Sequence, residues 1–211
     1  MKSNQEVLND IEKTGFVWLQ GCDRQYFEKI TSEIGDVIFV TDVKVNPESR
    51  AMVTSEKGLD FHTDHHKAKY IAWFCIEQTD KGGESILLEA NKLFEMLDDE
   101  EQQELRNVRL FEHKVFEDDE DTYPFMIEKD GNRSFYYSFW LAKDGIGEKG
   151  RNAIRKFQEL TNQIEHIKFK LNPNDLLIID NHRMLHGRTA IEGSKNRFLK
   201  RFWIKEKSQT I

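Results

Sequence analysis

The chain is poor in several things that would each have set its class. Two cysteines, Cys22 and Cys75, stand in 211 residues. They build no disulfide framework, and a reducing cytoplasm fits that usage. Three prolines and twelve scattered glycines leave no Pro- or Gly-rich linker. No apolar run approaches the roughly 20 residues of a membrane-spanning helix. The polar start, Met1-Lys2-Ser3-Asn4-Gln5-Glu6, lacks the apolar centre of a signal peptide. Basic residues are outnumbered, 31 against 38 acidic, for a net charge of −7. That argues against a nucleic-acid partner, since phosphate binding needs a basic surface. Neither a repeat nor a low-complexity segment interrupts the chain, so residues 1–211 read as a single domain with ample length for a core.

What is there is mostly short strands. Ser3 and Glu6 form a candidate capping box ahead of a helix carrying Val7, Leu8 and Ile11 at helical spacing. Residues 15–19 read as a strand. A second amphipathic helix carries Tyr26, Phe27, Ile30 and Ile34 and ends near Gly35. Strand character then recurs at 37–45, 51–54, 70–77, 85–88, 108–116, 125–128 and 134–139. Helices are expected at 91–107 and 148–164, and closing strands at 167–171, 176–179 and 198–205. Many short strands with few helices point to a sandwich or jelly roll. Cys75 falls in the apolar run Tyr70–Ile76 and reads as a small core residue. The acidic run at 117–121 reads as a solvated loop, a lid being the functional alternative.

One constellation carries chemistry. In His62-Thr63-Asp64 an extended strand would turn an imidazole and a carboxylate to the same side. With a distant His186 they supply the ligand set that holds non-haem Fe(II) on one octahedral face, leaving the other open. A bare His-x-Asp is common by chance, but three further motifs follow: Gly-Gly-Glu-Ser at 82–85, Asp-Asn-x-x-x-Leu-His-Gly-Arg-Thr at 180–189, and Arg-x-Leu-x-Arg-x-Trp at 197–203.

In these motifs and their order, over roughly residues 60 to 205, the chain resembles the TauD/TfdA family of Fe(II)/2-oxoglutarate-dependent dioxygenases, on its clavaminate synthase-like side. The resemblance implies a mainly β fold with flanking helices, a double-stranded β-helix of the jelly-roll or cupin type, with helices on one outer sheet. It implies His62, Asp64 and His186 as iron ligands. It implies Arg197 as the partner of the distal carboxylate of 2-oxoglutarate, a role that suits a guanidinium fork. Ser85 stands where the family usually has a threonine touching that carboxylate. Arg201 is a candidate for an anionic group on the substrate side. Retention of Asp64 favours hydroxylation over halogenation. The implied reaction consumes 2-oxoglutarate and O2, releases succinate and CO2, and oxidises a small molecule, expected to be an amino acid or an amino-acid-derived natural-product intermediate. Desaturation, cyclisation or oxidative decarboxylation at the same iron are the enzymatic alternatives. A non-catalytic jelly-roll protein binding a metal or ligand is the other.

Other residues have plainer expectations. His113, His166 and His182 read as ordinary structural histidines. His66 shares parity with His62 and Asp64 and lines the pocket only if the strand continues. Asn181 and Arg188 are candidates to support the ligands from behind. The run Phe135–Trp140 reads as sheet packing, with Tyr136, Ser138 and Trp140 on one face and Phe135, Tyr137 and Phe139 on the other.

Overall fold

The computed structural model describes residues 1–46, 48, 52–142 and 145–207. The chain opens with α1 (Asn4–Thr14), β1 (Phe16–Leu19), α2 (Arg24–Ile34) and β2 (Asp36–Lys44). Next come β3 (Leu59–His62), β4 (Tyr70–Glu77), β5 (Ser85–Glu89), α3 (Ala90–Glu95) and α4 (Asp99–Asn107). Two small hairpins follow, β6 (Arg109–Phe111) with β7 (Thr122–Pro124), and β8 (Met126–Lys129) with β9 (Asn132–Phe135). Then α5 (Glu148–Leu160) leads to β10 (Ile167–Phe169), β11 (Leu176–Asp180), β12 (Met184–Arg188) and β13 (Phe198–Lys205).

Two antiparallel sheets face each other. One has the order β1-β11-β4-β13-β2 and the other β10-β5-β12-β3. Period-2 alternation divides each buried strand between two layers. In β4, Ile71, Trp73 and Cys75 point between the sheets, while Tyr70, Ala72 and Phe74 point outward. In β11, Leu177 and Ile179 point in, and Leu176 and Ile178 out. Both outer faces are covered by helices. The pair α1 and α2 packs on the five-stranded sheet, where Phe27 stacks on Phe74 at 4.9 Å and meets Phe202 at 4.7 Å. The other three helices, with Phe125, Phe135, Tyr136 and Tyr137, pack on Phe61, Leu88 and Leu185 of the four-stranded sheet. Each fully buried phenylalanine contributes about 2 kcal/mol from burial. This is the double-stranded β-helix architecture expected, except that helices lie on both outer sheets, since each presents its own apolar face.

Local expectations fare unevenly. The Ser3/Glu6 capping box forms, and α2 ends ahead of Gly35. Residues 91–107 are two helices, because Asp98 and Glu101 form a second capping box that starts α4 afresh. The strand expected over 108–116 is limited to β6. Beyond it, the Asp119 carboxylate accepts hydrogen bonds from the backbone N–H of Val115 and Phe116 and folds the segment into a loop. Asp119 is thus buried, although the acidic run around it was expected to be solvated. The run 134–139 is β9 followed by a 3-10 turn at Phe139–Leu141, so Tyr136 and Tyr137 are both buried and the two-face alternation does not hold. Of the strand expected at 51–54, Met52–Thr54 is a 3-10 turn and residue 51 lies outside the described residues. The last helix ends at Leu160 rather than 164. Among the described residues no helix is long and apolar enough to cross a membrane. Cys75 is fully buried in the inter-sheet core, and neither it nor Cys22 forms a disulfide.

Candidate metal centre

Register brings the two distant histidines together. In the β3–β12 ladder His186 stands directly opposite His62, and their rings lie 4.3 Å apart. Both side chains point between the sheets. Close approach of the two strands depends on Gly187, where an added Cβ would sit 2.5 Å from the Leu59 carbonyl oxygen.

Asp64 arrives by a different route from the one its spacing suggested. β3 ends at His62, so Asp64 is set by the turn that follows. Asn181, fully buried, brackets that turn. Its side-chain oxygen accepts from the Asp64 N–H at 2.8 Å, and its amide donates to the carbonyls of Ala68 at 2.9 Å and His65 at 3.2 Å. Thr63 ties the same stretch to the Tyr137 backbone. Arg188 instead donates to the carbonyls of Ser55 and Lys57, and so fixes the loop ahead of β3.

One ligand atom from each of His62, Asp64 and His186 lies within 4.8 Å of the others. The Asp64 oxygens are 4.0 Å from His62 Nε2 and 3.8 Å from His186 Nε2. His62 Nδ1 is 2.8 Å from the Asp60 carbonyl, which accepts its proton and leaves the Nε2 lone pair turned inward. Burial holds both imidazoles below their ordinary pKa, His186 well below. Burial alone would raise the Asp64 carboxyl, but Arg201, then His186 and His62, hold it below the usual range. Neutral imidazoles and an ionised carboxylate are the forms that bind a divalent metal, so this donor set fits one. Arg201 Nη1 lies 3.0 Å from both Asp64 oxygens, and Trp203 Nε1 donates to one at 2.9 Å. Arg201 therefore touches the Asp64 carboxylate as well as lining a cavity beside it.

Two cavities meet at these residues. The narrower is lined by Trp73, Ser85, Leu87, Leu177, His186 and Arg197, among others. Arg197 is 5 % exposed, and among the described residues it has no ion-pair partner; its Nε donates to the Gly83 carbonyl at 3.2 Å. Burial, then the neighbouring Arg188, pushes its pKa down to about 9. A buried cation of this kind wants an anion. Gly83, at φ 72°, leaves the room that the Arg197 chain uses: a Cβ there would lie 3.1 Å from Arg197 Cδ. Ser85 begins β5 and is half-buried on the same wall.

The wider cavity, about 580 Å³, lies on the other side of His62 and Arg201. His113 lines it, against the expectation of an ordinary structural histidine. Its Nε2 accepts from Trp140 Nε1 at 3.4 Å, and Trp140 stands 5.1 Å from the His62 ring. No periodicity marks His113, because the Asp119-pinned loop aims it. His65 also lines this cavity, while His66, His166 and His182 stay outside. His66 stacks on Tyr123 at 3.5 Å and bonds Glu112. His182 bonds the His66 carbonyl, and His166 packs edge-on to Phe61. His65, His66 and Glu112 form a second cluster able to hold a metal by distance alone. There the positive charge is already supplied by Lys67, which pairs with Asp119 at 2.6 Å while Asp119 approaches His65 Nε2 at 3.2 Å.

Comparison with known proteins bears on the family and the fold. The family model described as taurine catabolism dioxygenase TauD, TfdA family, matches residues 2–203. Among solved structures, an asparagine oxygenase in complex with Fe(II), hydroxyasparagine and succinate is similar at a TM-score of 0.79 and 15% identity, over 96% of this chain and 78% of that one. The non-heme iron oxygenase OrfP, in complex with Fe and α-ketoglutaric acid, is similar at 0.75 and 14%, over 96% and 78%. The PvcB protein from Pseudomonas aeruginosa is similar at 0.70 and 16%, over 96% and 80%. At such identities the neighbours speak for the fold, while the family match spans nearly the whole chain: it belongs to the TauD/TfdA family of Fe(II)/2-oxoglutarate-dependent dioxygenases.

Proposed function

We propose that residues 1–211 work as one dioxygenase domain that hydroxylates a small amino-acid-derived molecule, with His62, Asp64 and His186 as the iron ligands. Arg197, assisted by Ser85, takes the far carboxylate of 2-oxoglutarate, and Arg201 takes an anionic group of the substrate. The observation that carries the reading is the pair of cations on either side of the histidine–aspartate cluster. Arg197 is buried in one cavity with no counter-charge among the described residues. Arg201 borders both cavities and uses Nη1 on Asp64.

Ferrous iron with 2-oxoglutarate and O2 supplies oxidation of a substrate C–H bond, with loss of CO2 and formation of succinate. The chain's own residues do the rest. His62, oriented by the Asp60 carbonyl, presents Nε2. Arg201 and Trp203 fix the Asp64 carboxylate in one rotamer. Arg197 would hold the far carboxylate of the cosubstrate through a charge-assisted contact. Phe39, Val53, Trp140 and Trp203 keep water from the reacting side. Hydroxyasparagine and hydroxyarginine, bound in similar structures, support an amino-acid skeleton for the substrate.

The test is an anaerobic titration of the Fe(II)-loaded protein with 2-oxoglutarate. A visible metal-to-ligand charge-transfer band is expected. Its absence from protein shown to hold iron would overturn the reading and favour a metal-binding jelly roll without this cosubstrate.

A further inference from the structure

The turn that sets Asp64 runs on into two more histidines, and the loop after β6 brings two buried carboxylates to them. His65 is fully buried, with Nε2 3.2 Å from Asp119 Oδ1 and 3.5 Å from Glu112 Oε1. His66 Nε2 contacts the same Glu112 oxygen. One ligand atom each from His65, His66 and Glu112 lies within 4.8 Å of the others. Ligand atoms at the corners of a tetrahedron, with zinc bonds of about 2.0–2.1 Å, stand about 3.3 Å apart. Both His65 distances are close to that edge length. With Asp119 beside His65, two imidazoles and two carboxylates make a full set for a closed tetrahedral site.

Hydrogen bonding within the cluster leaves it unsatisfied. His65 Nε2 is close to two carboxylates yet hydrogen-bonds neither, and Glu112 Oε2 is likewise buried with no partner among the described residues. Charge is unbalanced as well. The positive charge that Lys67 supplies goes to Asp119 at 2.6 Å and Asp118 at 2.7 Å. Glu112, its side chain 1 % exposed, has no lysine or arginine within ion-pair distance among the described residues, only the two imidazoles. A buried carboxylate without a cation is costly. A divalent ion would offset Glu112 and Asp119 together and leave Lys67 to Asp118. Binding ends one long contact, from the Lys67 N–H to His65 Nδ1 at 3.2 Å, because Nδ1 takes the proton that leaves Nε2.

We infer that His65, His66 and Glu112, completed by Asp119, form a second metal site of the structural zinc type, separate from the His62, Asp64 and His186 cluster. Four side chains leave no open position for a substrate, and zinc ranks above ferrous iron at nitrogen and oxygen ligands. The ion ties the residues directly after Asp64 to the loop that carries His113 and Val115 into the wider cavity. The inference stands independently of the dioxygenase reading.

The experiment uses the whole chain, stripped of metal by dialysis against a chelator and titrated calorimetrically with Zn(II), then with Co(II) followed in the visible. Wild type is expected to bind two ions. His62→Ala, which breaks the first cluster, is expected to keep one, with the intense visible bands of tetrahedral Co(II). In that background, His66→Ala and Glu112→Gln should each weaken the remaining ion at least about tenfold, the least that loss of even an outer partner costs. His66 is half-buried and glutamine matches glutamate in shape, and circular dichroism confirms that each variant is folded. Lys67→Met removes the competing cation and should tighten zinc binding severalfold, which a latch made of ion pairs alone would not do. One ion in wild type and none in His62→Ala would overturn the inference. So would a remaining ion indifferent to His66→Ala and Glu112→Gln, which marks adventitious binding. Failure of the dioxygenase reading shows separately, as iron-loaded protein that gives no charge-transfer band with 2-oxoglutarate.

Discussion

Replacing Arg197 with methionine should change stability in opposite directions with and without 2-oxoglutarate. In the ligand-free protein Arg197 is buried beside Trp73, Leu87 and Leu177, hydrogen-bonds the Gly83 carbonyl, and feels a second cation, Arg188. An unpaired buried charge is costly, and an unbranched apolar side chain of similar length should relieve about 2 kcal/mol. For a chain of this size that is a rise in Tm of about 6 °C. With cosubstrate the order reverses. Truncating one partner of a buried charge pair costs about 3 kcal/mol, which raises the Kd for 2-oxoglutarate about 150-fold. At about 1,000 times the wild-type Kd, the ligand stabilises wild type by about 4 kcal/mol and the variant by about 1 kcal/mol. The assay is thermal unfolding of metal-loaded protein under argon, with and without 2-oxoglutarate. A variant that melts lower than wild type without ligand, and keeps the full ligand-induced shift, would show that Arg197 is a structural cation and refute the assignment.

Three shorter predictions test the surrounding geometry. His62→Ala should abolish stoichiometric Fe(II) binding and turnover, read by metal analysis of dialysed protein; retention of iron would move the site elsewhere. Gly187→Ala forces a Cβ to within 2.5 Å of the Leu59 carbonyl. It should cost about 2 kcal/mol by overpacking and weaken metal binding by spreading β3 from β12, so an unchanged metal affinity would refute that coupling. Asp119→Asn removes the buried charge that Lys67, Val115 and Phe116 share, and should cost about 3 kcal/mol in urea unfolding. The Asp119 carboxyl is depressed below its ordinary pKa: burial opposes this, and the Lys67 contact and the two backbone N–H groups outweigh it. Its stabilisation is therefore complete above the usual carboxylate range and lost as pH falls through and below it. The variant should have a flatter acid limb, and an identical limb would place the acid-sensitive charge elsewhere.

The residues that sequence reasoning singled out gather because alternation in strands is local and strong. Arg197, Leu199, Arg201 and Trp203 share parity, and Leu199 and Trp203 lie in the inter-sheet core while both arginines line the narrower cavity. The His62–His186 pairing follows from two such strands meeting in register. What escaped the sequence was decided by single polar side chains acting across distance. Asn181 turns the chain after His62, so Asp64 reaches the cluster by a turn and His66 leaves it. Asp119 ends the strand expected through residue 116 and aims His113 into the cavity. Two missed features did carry local signals. Asp98 and Glu101 spelled out the helix restart at α4. Asp130-Gly131, both at positive φ, marked the tight hairpin between β8 and β9.

β3 is four residues long, stands at the end of its sheet, and among the described residues has one hydrogen-bonded neighbouring strand, β12. It also ends in His62, just ahead of Asp64. An ion held by His62, Asp64 and His186 is then a rivet through a sheet margin, and it can leave only as fast as that margin peels. Metal loss should follow the local opening of residues 59–64, with the steep temperature dependence of an unfolding step rather than that of simple ligand exchange. Amide exchange at Phe61 and His62 should slow on metal loading in proportion. An unriveted margin is also a free template for strand addition by another chain, so demetallated protein should self-associate before it unfolds.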